Sequence, residues 1–186
     1  MNRKVLALTL ALSVVAASSA FAQADLGFKR VGVAVGYVSP ENLDGTFSIG
    51  VMADHGTIAP RFGLESRLDY WGWSENQFGV ETAIRDVTLG ARTKYYFEVA
   101  NPKIRPFAGA GLGLHFLSAE VTIPAGGGFP AMSESASETK LGLDVGGGFA
   151  STLSPRTDFV GEAWYGIVSD MSQFSLRAGL QFKLGN

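Results

Sequence analysis

The sequence offers few side chains for catalysis or metal binding. It contains no cysteine and two histidines, His55 and His115, whose wide separation fits no zinc-ligand spacing. The absence of Cys also excludes disulfide bonds and thiol nucleophiles. Ser118 follows His115 by three residues, which in a strand places the two side chains on opposite faces and disfavours a nucleophile–base pair. We therefore predict no catalytic centre, no metal site and no cofactor.

Other motifs of possible chemical use are incomplete. The glycine run at residues 126–128 lacks the Lys and Ser or Thr of a phosphate-binding loop, so a flexible loop is favoured. Asp44, Asp54 and Glu134 do not have the spacing of a calcium loop. With 15 basic and 17 acidic residues, the chain has no basic surplus with which to grip nucleic acid.

The first 22 residues have the pattern of a cleaved export signal. Arg3 and Lys4 precede an apolar run at 5–17, and Ala20, Phe21 and Ala22 supply a small-x-small cleavage pattern. The run is too short for a membrane-spanning helix; the alternatives are an uncleaved amphipathic or core helix and cleavage two residues later. We predict a signal peptide at 1–22 and one domain at 23–186, with 13 basic and 17 acidic residues and a net charge of −4.

The remainder of the chain alternates apolar and polar residues with a period of two, which predicts β-strands. Turn-forming clusters separate the alternating segments, and evenly spaced short strands indicate a sandwich or a barrel. Eight segments follow this pattern, at residues 29–39, 46–54, 61–73, 85–97, 104–121, 139–149, 158–167 and 173–184.

Three features favour an inverted barrel, with its apolar face toward lipid and its polar face toward a lumen. The connections at 54–60, 98–103 and 150–157 are shorter on average than those at 73–84 and 122–138, as expected for periplasmic turns and external loops. Aromatic residues gather at strand ends. The polar face is rich in glycine, which leaves room for long charged side chains in the narrow interior of an eight-stranded barrel.

Charged residues on the polar faces form the predicted site. Because a buried ion needs a partner, near balance between seven basic and five acidic members indicates a salt-bridged plug rather than a selective ring. The alternative is solvated charge on the outer face of a soluble sheet. The predicted lumen-facing network comprises Arg61, Glu65, Arg67, Asp69, Asp86, Arg92, Lys94, Lys140, Asp144, Glu162, Arg177 and Lys183.

Aromatic residues near the strand ends are predicted to anchor the barrel at the two membrane interfaces. Trp71 and Trp73 have a second possible use as a platform for a ligand or carbohydrate, although anchoring is favoured. The predicted anchors are Tyr70, Trp71, Trp73, Tyr95, Phe97, Phe149, Tyr165 and Phe182.

Two glycine-rich strand motifs, RPFAGAGLG at 105–113 and LDVGGG at 143–148, resemble the small outer-membrane β-barrel family of OmpX/OmpA-like proteins. The resemblance implies an all-β, eight-stranded antiparallel up-and-down transmembrane β-barrel. It also implies that both termini lie in the periplasm and that the barrel-assembly machinery inserts the chain. The family's final strand usually ends on an aromatic residue, whereas here four residues follow Phe182.

We therefore expect an integral protein of the bacterial outer membrane with a structural, envelope-stabilising or surface-interaction role. Its expected surroundings are outer-membrane lipid and lipopolysaccharide, with an external partner contacted through loops 74–82 and 123–138, no nucleic acid, and a monomeric state. The alternatives are a narrow porin-like channel for small solutes, a lipid-modifying enzyme that uses His, Ser and a carboxylate, and a soluble lipocalin-like carrier.

Overall fold

The computed structural model describes residues 24–125 and 130–185. The predicted signal at 1–22 and the glycines at 126–128 lie outside these residues. Eight strands account for nearly all of the described chain: β1 (Asp25–Pro40), β2 (Thr46–Ala59), β3 (Phe62–Gln77), β4 (Val80–Tyr96), β5 (Ile104–Ile123), β6 (Met132–Ser154), β7 (Thr157–Val168) and β8 (Gln173–Lys183). Within the described ranges, no helix is long and apolar enough to cross a membrane.

The strands form a closed barrel in which each one pairs antiparallel with its sequence neighbour and β1 pairs with β8. The predicted eight-stranded up-and-down barrel is thus confirmed. We call the end that carries residues 25 and 183 the terminal end; its turns lie at 60–61, 97–103 and 155–156. The opposite end, with connections at 41–45, 78–79, 124–131 and 169–172, is called the loop end.

The two faces of the wall have the inverted polarity that the alternation predicts. One rung across β3, β4 and β5 joins Leu68, Leu89 and Leu114, and all three side chains point outward, with Leu89 52% exposed. Glu65 and Arg92, which pair on an inward rung, are only 4% and 1% exposed. The apolar surface therefore lies outside and the ionised side chains lie inside, which argues against a soluble carrier with an apolar interior.

Strands extend further at the loop end than the sequence pattern predicts. Most of the predicted external loop at 74–82 is paired strand, and the β3–β4 connection is the two-residue turn of Phe78 and Gly79. Both turn residues have positive φ, as in the type I′ turn that matches the twist of a hairpin. The predicted loop at 123–138 is likewise strand from Met132 onward. In these polar segments the backbone hydrogen bonds are made by pairing with the neighbouring strand, although neither face is apolar. The alternation of apolar and polar residues therefore did not predict them as strands.

The terminal end of β2 also differs from expectation, because most of the connection predicted at 54–60 is strand and His55 lies within β2. The β2–β3 register shifts beyond Asp54, and Gly56 has φ +83°, so the strand continues through a bulge. The His55 Nε2 atom lies 2.8 Å from Ser66 Oγ.

Candidate functional site

The centre of the lumen holds eight charged side chains, four basic and four acidic. They come from β3, β4, β6, β7 and β8, and each is at most 8% exposed. Since charges of both signs are equal in number, the group carries no net charge when all members are ionised. The members of this central ion-pair network are Glu65, Arg67, Asp69, Arg92, Lys94, Asp144, Glu162 and Arg177.

One half of the network crosses the lumen between β3 and β7. The Arg67 guanidinium lies 2.7 Å from an Asp144 carboxylate oxygen. Arg92 contacts Asp144 and Glu162, each at 3.4 Å. The Arg92 guanidinium also lies 3.9 Å above the Trp164 ring, a cation–π contact that desolvation strengthens.

The other half closes a ring. Arg177 donates to both oxygens of Asp69, at 2.7 and 2.8 Å, and lies 3.6 Å from Glu162, while Asp69 also binds Arg67. Lys94 branches from the ring, with its ammonium 2.7 Å from Glu65 and 3.1 Å from Glu162. Each buried charge thereby has at least one opposite partner, which offsets its desolvation.

Glycines on the inner face make room for these long side chains. A Cβ at Gly111 would lie 2.5 Å from the Ala91 carbonyl oxygen and 2.6 Å from Arg92 Cγ. A Cβ at Gly146 would lie 2.8 Å from atoms of Trp164. At Gly111 and Gly146 the missing side chains therefore leave space that Arg92 and Trp164 occupy.

A second polar tier lies toward the loop end and centres on Asp86. His115 Nδ1–H donates to Asp86 Oδ2 at 2.7 Å, and the Thr88 hydroxyl donates to the same oxygen at 3.0 Å. His115 is 2% exposed, and a Cβ at Gly142 would lie 2.8 Å from its Nε2. The imidazole is therefore enclosed by backbone and belongs to the packing of the lumen.

A third tier lies near the terminal end, where the fully buried Asp158 is surrounded by cations from three other strands. Arg105 contacts Asp158 at 3.0 Å, Arg30 at 3.1 Å and Lys183 at 3.7 Å. Arg30 also pairs with Asp54. This tier joins the first and last strands of the barrel.

An apolar cluster lies inside the barrel against β5, β6 and β7, between the central network and the terminal end. It packs Trp164 against Phe107, whose ring centroids lie 6.5 Å apart. The lumen is thus occupied by side chains at several successive levels, and an open water path along the axis is not expected. The cluster comprises Phe107, Ala150, Val160 and Trp164, with Tyr96 packed against it.

Three members of the predicted lumen-facing set occupy different surroundings. Arg61 lies in the β2–β3 turn with φ +68°, points away from the lumen and pairs with Glu98. A hydrogen bond to Tyr95, together with the charge of Glu98, raises the pKa of the Arg61 guanidinium. The position ends a strand, so the alternation no longer sets its direction. Lys140 and Lys183 lie at the two mouths of the barrel and are partly exposed.

Six of the predicted anchors lie at the ends of the barrel as expected, whereas Trp71 and Trp73 lie on the inner face of β3. Trp71 is buried inside the barrel, because it shares its face with Arg67 and Asp69, and Trp73, on the same face, is partly exposed. The remaining anchors lie at the loop end, namely Tyr70 and Tyr165, and at the terminal end, namely Tyr95, Phe97, Phe149 and Phe182.

The lumen contains polar residues that the sequence reasoning did not include in the network. Arg30 and Asp54 lie near the ends of the segments predicted at 29–39 and 46–54, although the observed strands extend beyond them. Asp158 and Arg105 are the second residues of β7 and β5. The alternation could have predicted that Asp158 faces the lumen, because Asp158 shares a face with Val160 and Glu162. The described residues contain no group of three or more side chains suited to hold a metal ion.

An apolar exterior around an ion-paired interior defines a transmembrane β-barrel. The chain belongs to the outer membrane protein beta-barrel domain family, whose model matches residues 7–183. Its location is therefore the outer membrane. A search of curated proteins gave no match.

Solved structures share the fold at low sequence identity. Neisserial surface protein A is 18% identical with a TM-score of 0.67, over 87% of this chain and 100% of that chain. A major outer membrane protein from Thermus thermophilus is 15% identical with a TM-score of 0.60, over 83% and 99%. The attachment invasion locus protein Ail of Yersinia pestis is 12% identical with a TM-score of 0.54, over 83% and 95%.

Proposed function

We propose that this protein is a closed, non-conducting barrel that stabilises the outer membrane and makes surface contacts through its loop end. The observation that carries the proposal is the ring of buried ion pairs across the lumen. A selective pore needs a ring of one sign or a water-filled passage, whereas Arg67, Asp69, Arg92, Asp144, Glu162 and Arg177 neutralise one another.

The orientation that fits this role places the loop end outside the cell. Barrels of this class have short periplasmic turns and longer external connections. The terminal end has two two-residue turns, at 60–61 and 155–156, whereas the loop end carries the connection at 124–131. The β3–β4 and β5–β6 hairpins then project toward the exterior.

Phe78 supports a contact role for the β3–β4 hairpin. It occupies the first position of the turn with φ +53° and is fully exposed at the tip. A bulky residue with positive φ is strained, and Asn is the preferred residue at this position of a type I′ turn. An aromatic side chain at a strained and fully solvated position is better suited to touching an apolar partner than to folding.

The charge of the loop end indicates what kind of partner it fits. Ail has been crystallised in complex with the heparin analogue sucrose octasulfate, a polyanion. The loop end of this chain is itself anionic, with eight acidic and two basic residues outside the lumen, so we propose a cationic or apolar partner and expect no binding of sucrose octasulfate. The acidic residues of the loop end outside the lumen are Glu41, Asp44, Glu75, Glu81, Glu120, Glu134, Glu138 and Asp170, and the basic residues are Arg85 and Lys140.

We assign the protein no catalytic activity. The one buried histidine with a carboxylate and a hydroxyl beside it, among the described residues, is His115, which binds both Asp86 and Thr88 on its Nδ1 side, and glycine backbone encloses its Nε2. A lipid substrate has no route to it. Unchanged lipid masses in cells expressing the wild type, compared with His115→Ala, are expected; a mass change that needs His115 would overturn this assignment.

The remaining partners form part of the same proposal. Outer-membrane lipid and lipopolysaccharide surround the wall, the barrel-assembly machinery inserts the chain, and the folded protein is a monomer. An outer wall of exposed apolar side chains with aromatic residues toward both ends supports direct contact with lipid around the circumference.

Conductance in planar bilayers tests the closed lumen. The folded protein is purified in detergent, its fold is verified by slower gel migration after boiling, and single insertions are recorded. We expect no steady conductance. Steady, reproducible steps from the folded wild type would overturn the closed barrel and support a narrow porin-like channel.

Adhesion of expressing cells to polystyrene tests the role of Phe78. Phe78→Asn is expected to raise the thermal stability of the barrel, because Asn suits the turn, and to lower adhesion to this apolar surface. Phe28→Asn, at the terminal end, is the control for loss of an exposed phenyl ring. Adhesion of Phe78→Asn cells equal to wild type would remove the contact role.

A further inference from the structure

A small depression lies in the outer wall at the loop end, just above the outward-facing aromatic residues. It has a volume of about 390 Å³, a size within the range of small-molecule sites, and lies over the beginning of β2, the end of β3 and the beginning of β4. Its borders include Phe47, Tyr70, Ser74, Glu81 and Arg85. Trp73 also borders it, although Trp73 lies on the inner face of β3 together with Trp71.

The depression exists because the outward positions of Gly72 and Ala83 have no side chain or only a methyl group, whereas the residues around them are larger. A Cβ at Gly72 would lie 3.1 Å from the Tyr70 hydroxyl and 3.8 Å from Arg85 Cγ, so Tyr70 and Arg85 stand on either side of Gly72. The Thr46 hydroxyl donates to the Gly72 carbonyl oxygen at 2.7 Å, which ties the start of β2 to this floor.

The register sets the height of the depression relative to the membrane. Tyr70 pairs with Val87, and Val87 pairs with Phe116, in the last outward rung with large apolar or aromatic side chains on all three strands. The next outward rung contains Gly72, Arg85 and Ser118. A step of two residues along a strand rises about 6.5 Å, so the depression lies at the level of lipid headgroups.

The mixture of groups around the depression fits a hydroxyl-rich ring. The rings of Phe47 and Tyr70 present apolar surface to the C–H face of a sugar. Arg85 supplies hydrogen-bond donors, Glu81 supplies acceptors, and Ser74 supplies a hydroxyl that does both. Sugar hydroxyls need donors and acceptors together, and this set provides both within one concave surface.

The same groups disfavour the two other components of a membrane lipid. Arg85 already lies 3.6 Å from Glu120, and with Glu81 nearby the local charge is negative, which repels a phosphate. An acyl chain would leave Arg85, Glu81 and Ser74 without polar partners. Arg85 is also the one basic side chain at the loop end, among the described residues, that is more than half exposed.

We propose that this depression binds the sugar headgroup of a glycolipid in the outer leaflet, with the ring against Phe47 and Tyr70 and its hydroxyls on Arg85 and Glu81. The inference rests on the proposed orientation, with the loop end outside the cell, and does not depend on what the hairpins contact. It assigns a lipid-selecting site to a wall whose large exposed side chains are otherwise mostly apolar.

Native mass spectrometry of the folded full chain tests the site with two probes that share a diacylglycerol anchor. Diglucosyldiacylglycerol carries sugar without phosphate, and phosphatidylglycerol carries phosphate without sugar. We expect retention of diglucosyldiacylglycerol at least fivefold above phosphatidylglycerol. Preference for phosphatidylglycerol, or equal retention of the two lipids, would overturn the assignment.

Two variants locate the binding. Arg85→Ala removes donors and Gly72→Val fills the depression, and each is expected to lower retention of diglucosyldiacylglycerol at least fivefold. Arg156→Ala, which removes an exposed arginine at the terminal end, is the matched control and should retain the lipid like wild type. Retention unaffected by Arg85→Ala and Gly72→Val, in variants that still shift on boiling, would overturn the site.

Free isomaltose, a diglucose without an acyl chain, separates the two sources of sugar. Because the site lies at headgroup level, binding is expected to require the lipid anchor, and millimolar isomaltose should not displace diglucosyldiacylglycerol. Displacement of diglucosyldiacylglycerol by millimolar isomaltose would assign the depression to soluble sugar in place of a membrane lipid.

Discussion

At the scale of single residues, burial makes each charge dependent on its partners. Asp158 is completely buried and lies between Arg30, Arg105 and Lys183, which come from β1, β5 and β8. A charge in this position is stable only while opposite charges surround it, and the reverse also holds for the cations. Asp158 therefore links strands that are distant in sequence, including the pair that closes the barrel.

Asp158→Asn is expected to destabilise the barrel strongly, because three cations lose their shared counter-charge. Breaking a buried pair costs about 3–5 kcal/mol. The measurement is urea unfolding of the refolded barrel in lipid vesicles, followed by tryptophan fluorescence.

The control for this substitution is Asp25→Asn, which disrupts the exposed pair with Lys29. Exposed pairs contribute roughly 0–1 kcal/mol, so Asp25→Asn should unfold close to wild type. A loss from Asp158→Asn no larger than that from Asp25→Asn would show that the terminal-end tier does not hold the strands together.

At the scale of elements, the wall balances large and small inner side chains between strands. The inner face of β5 carries Gly109, Gly111 and Gly113 in sequence, opposite strands that carry Arg92, Lys94 and Trp164. The interior of an eight-stranded barrel is just filled by side chains, so long inner side chains on some strands require small inner side chains on others. The glycines of β5 therefore provide the volume that Arg92, Lys94 and Trp164 occupy.

Gly111→Ala is expected to lower the free energy of unfolding, because its Cβ would meet a backbone oxygen at 2.5 Å and Arg92 Cγ at 2.6 Å. Overpacking of this kind costs about 1–3 kcal/mol. Urea unfolding in vesicles measures the effect.

Gly27→Ala is the matched substitution, since the nearest atom to its Cβ lies 4.0 Å away. We expect it to be neutral or to stabilise by at most about 1 kcal/mol, as Gly to Ala changes do at unstrained sites. Equal effects of the two alanines would mean that the lumen has spare volume, and the filled-lumen interpretation would then fail.

At the scale of the whole molecule, lipid takes the place of the hydrophobic core. Most large apolar residues lie on the outer wall and are exposed unless the membrane covers them, while the interior is mainly charged and polar apart from the apolar cluster around Trp164. The stability of the fold in water is therefore not defined apart from its membrane, and the outward residues should respond to depth in the bilayer.

Leu89→Arg is expected to destabilise the barrel in vesicles by roughly 2–4 kcal/mol, the cost of arginine at the bilayer midplane. Leu89 lies on an outward rung in the middle of the wall. Urea unfolding in vesicles again provides the measurement.

Leu153→Arg places the same side chain near the terminal end of β6, where Leu153 is also exposed. Near the interface the expected cost falls to about 0–1 kcal/mol. If both arginines cost the same, the membrane does not cover the wall in the way that the aromatic residues at its two ends indicate.

Strand number, facing and the closed barrel were predictable from alternation, because a period of two sets which side chains share a face regardless of what surrounds them. Positions at strand ends were less predictable. Arg61 lies in a turn where alternation no longer applies, and the strands at 74–77 and 132–137 are held by backbone pairing with polar residues on both faces. Trp71 was assigned by residue type as an anchor, although its position in the alternation placed it inside.

The sequence by itself determined that the chain forms eight strands with one apolar face and one charged face, since both follow from local spacing and composition. Only the tertiary structure decided which charge meets which. Arg67 and Asp144 are 77 residues apart, and their contact at 2.7 Å depends on the register of every strand between them. Pairing across a lumen is a property of the closed ring, because β3 and β6 are not neighbours in the sheet and face each other only when the barrel closes.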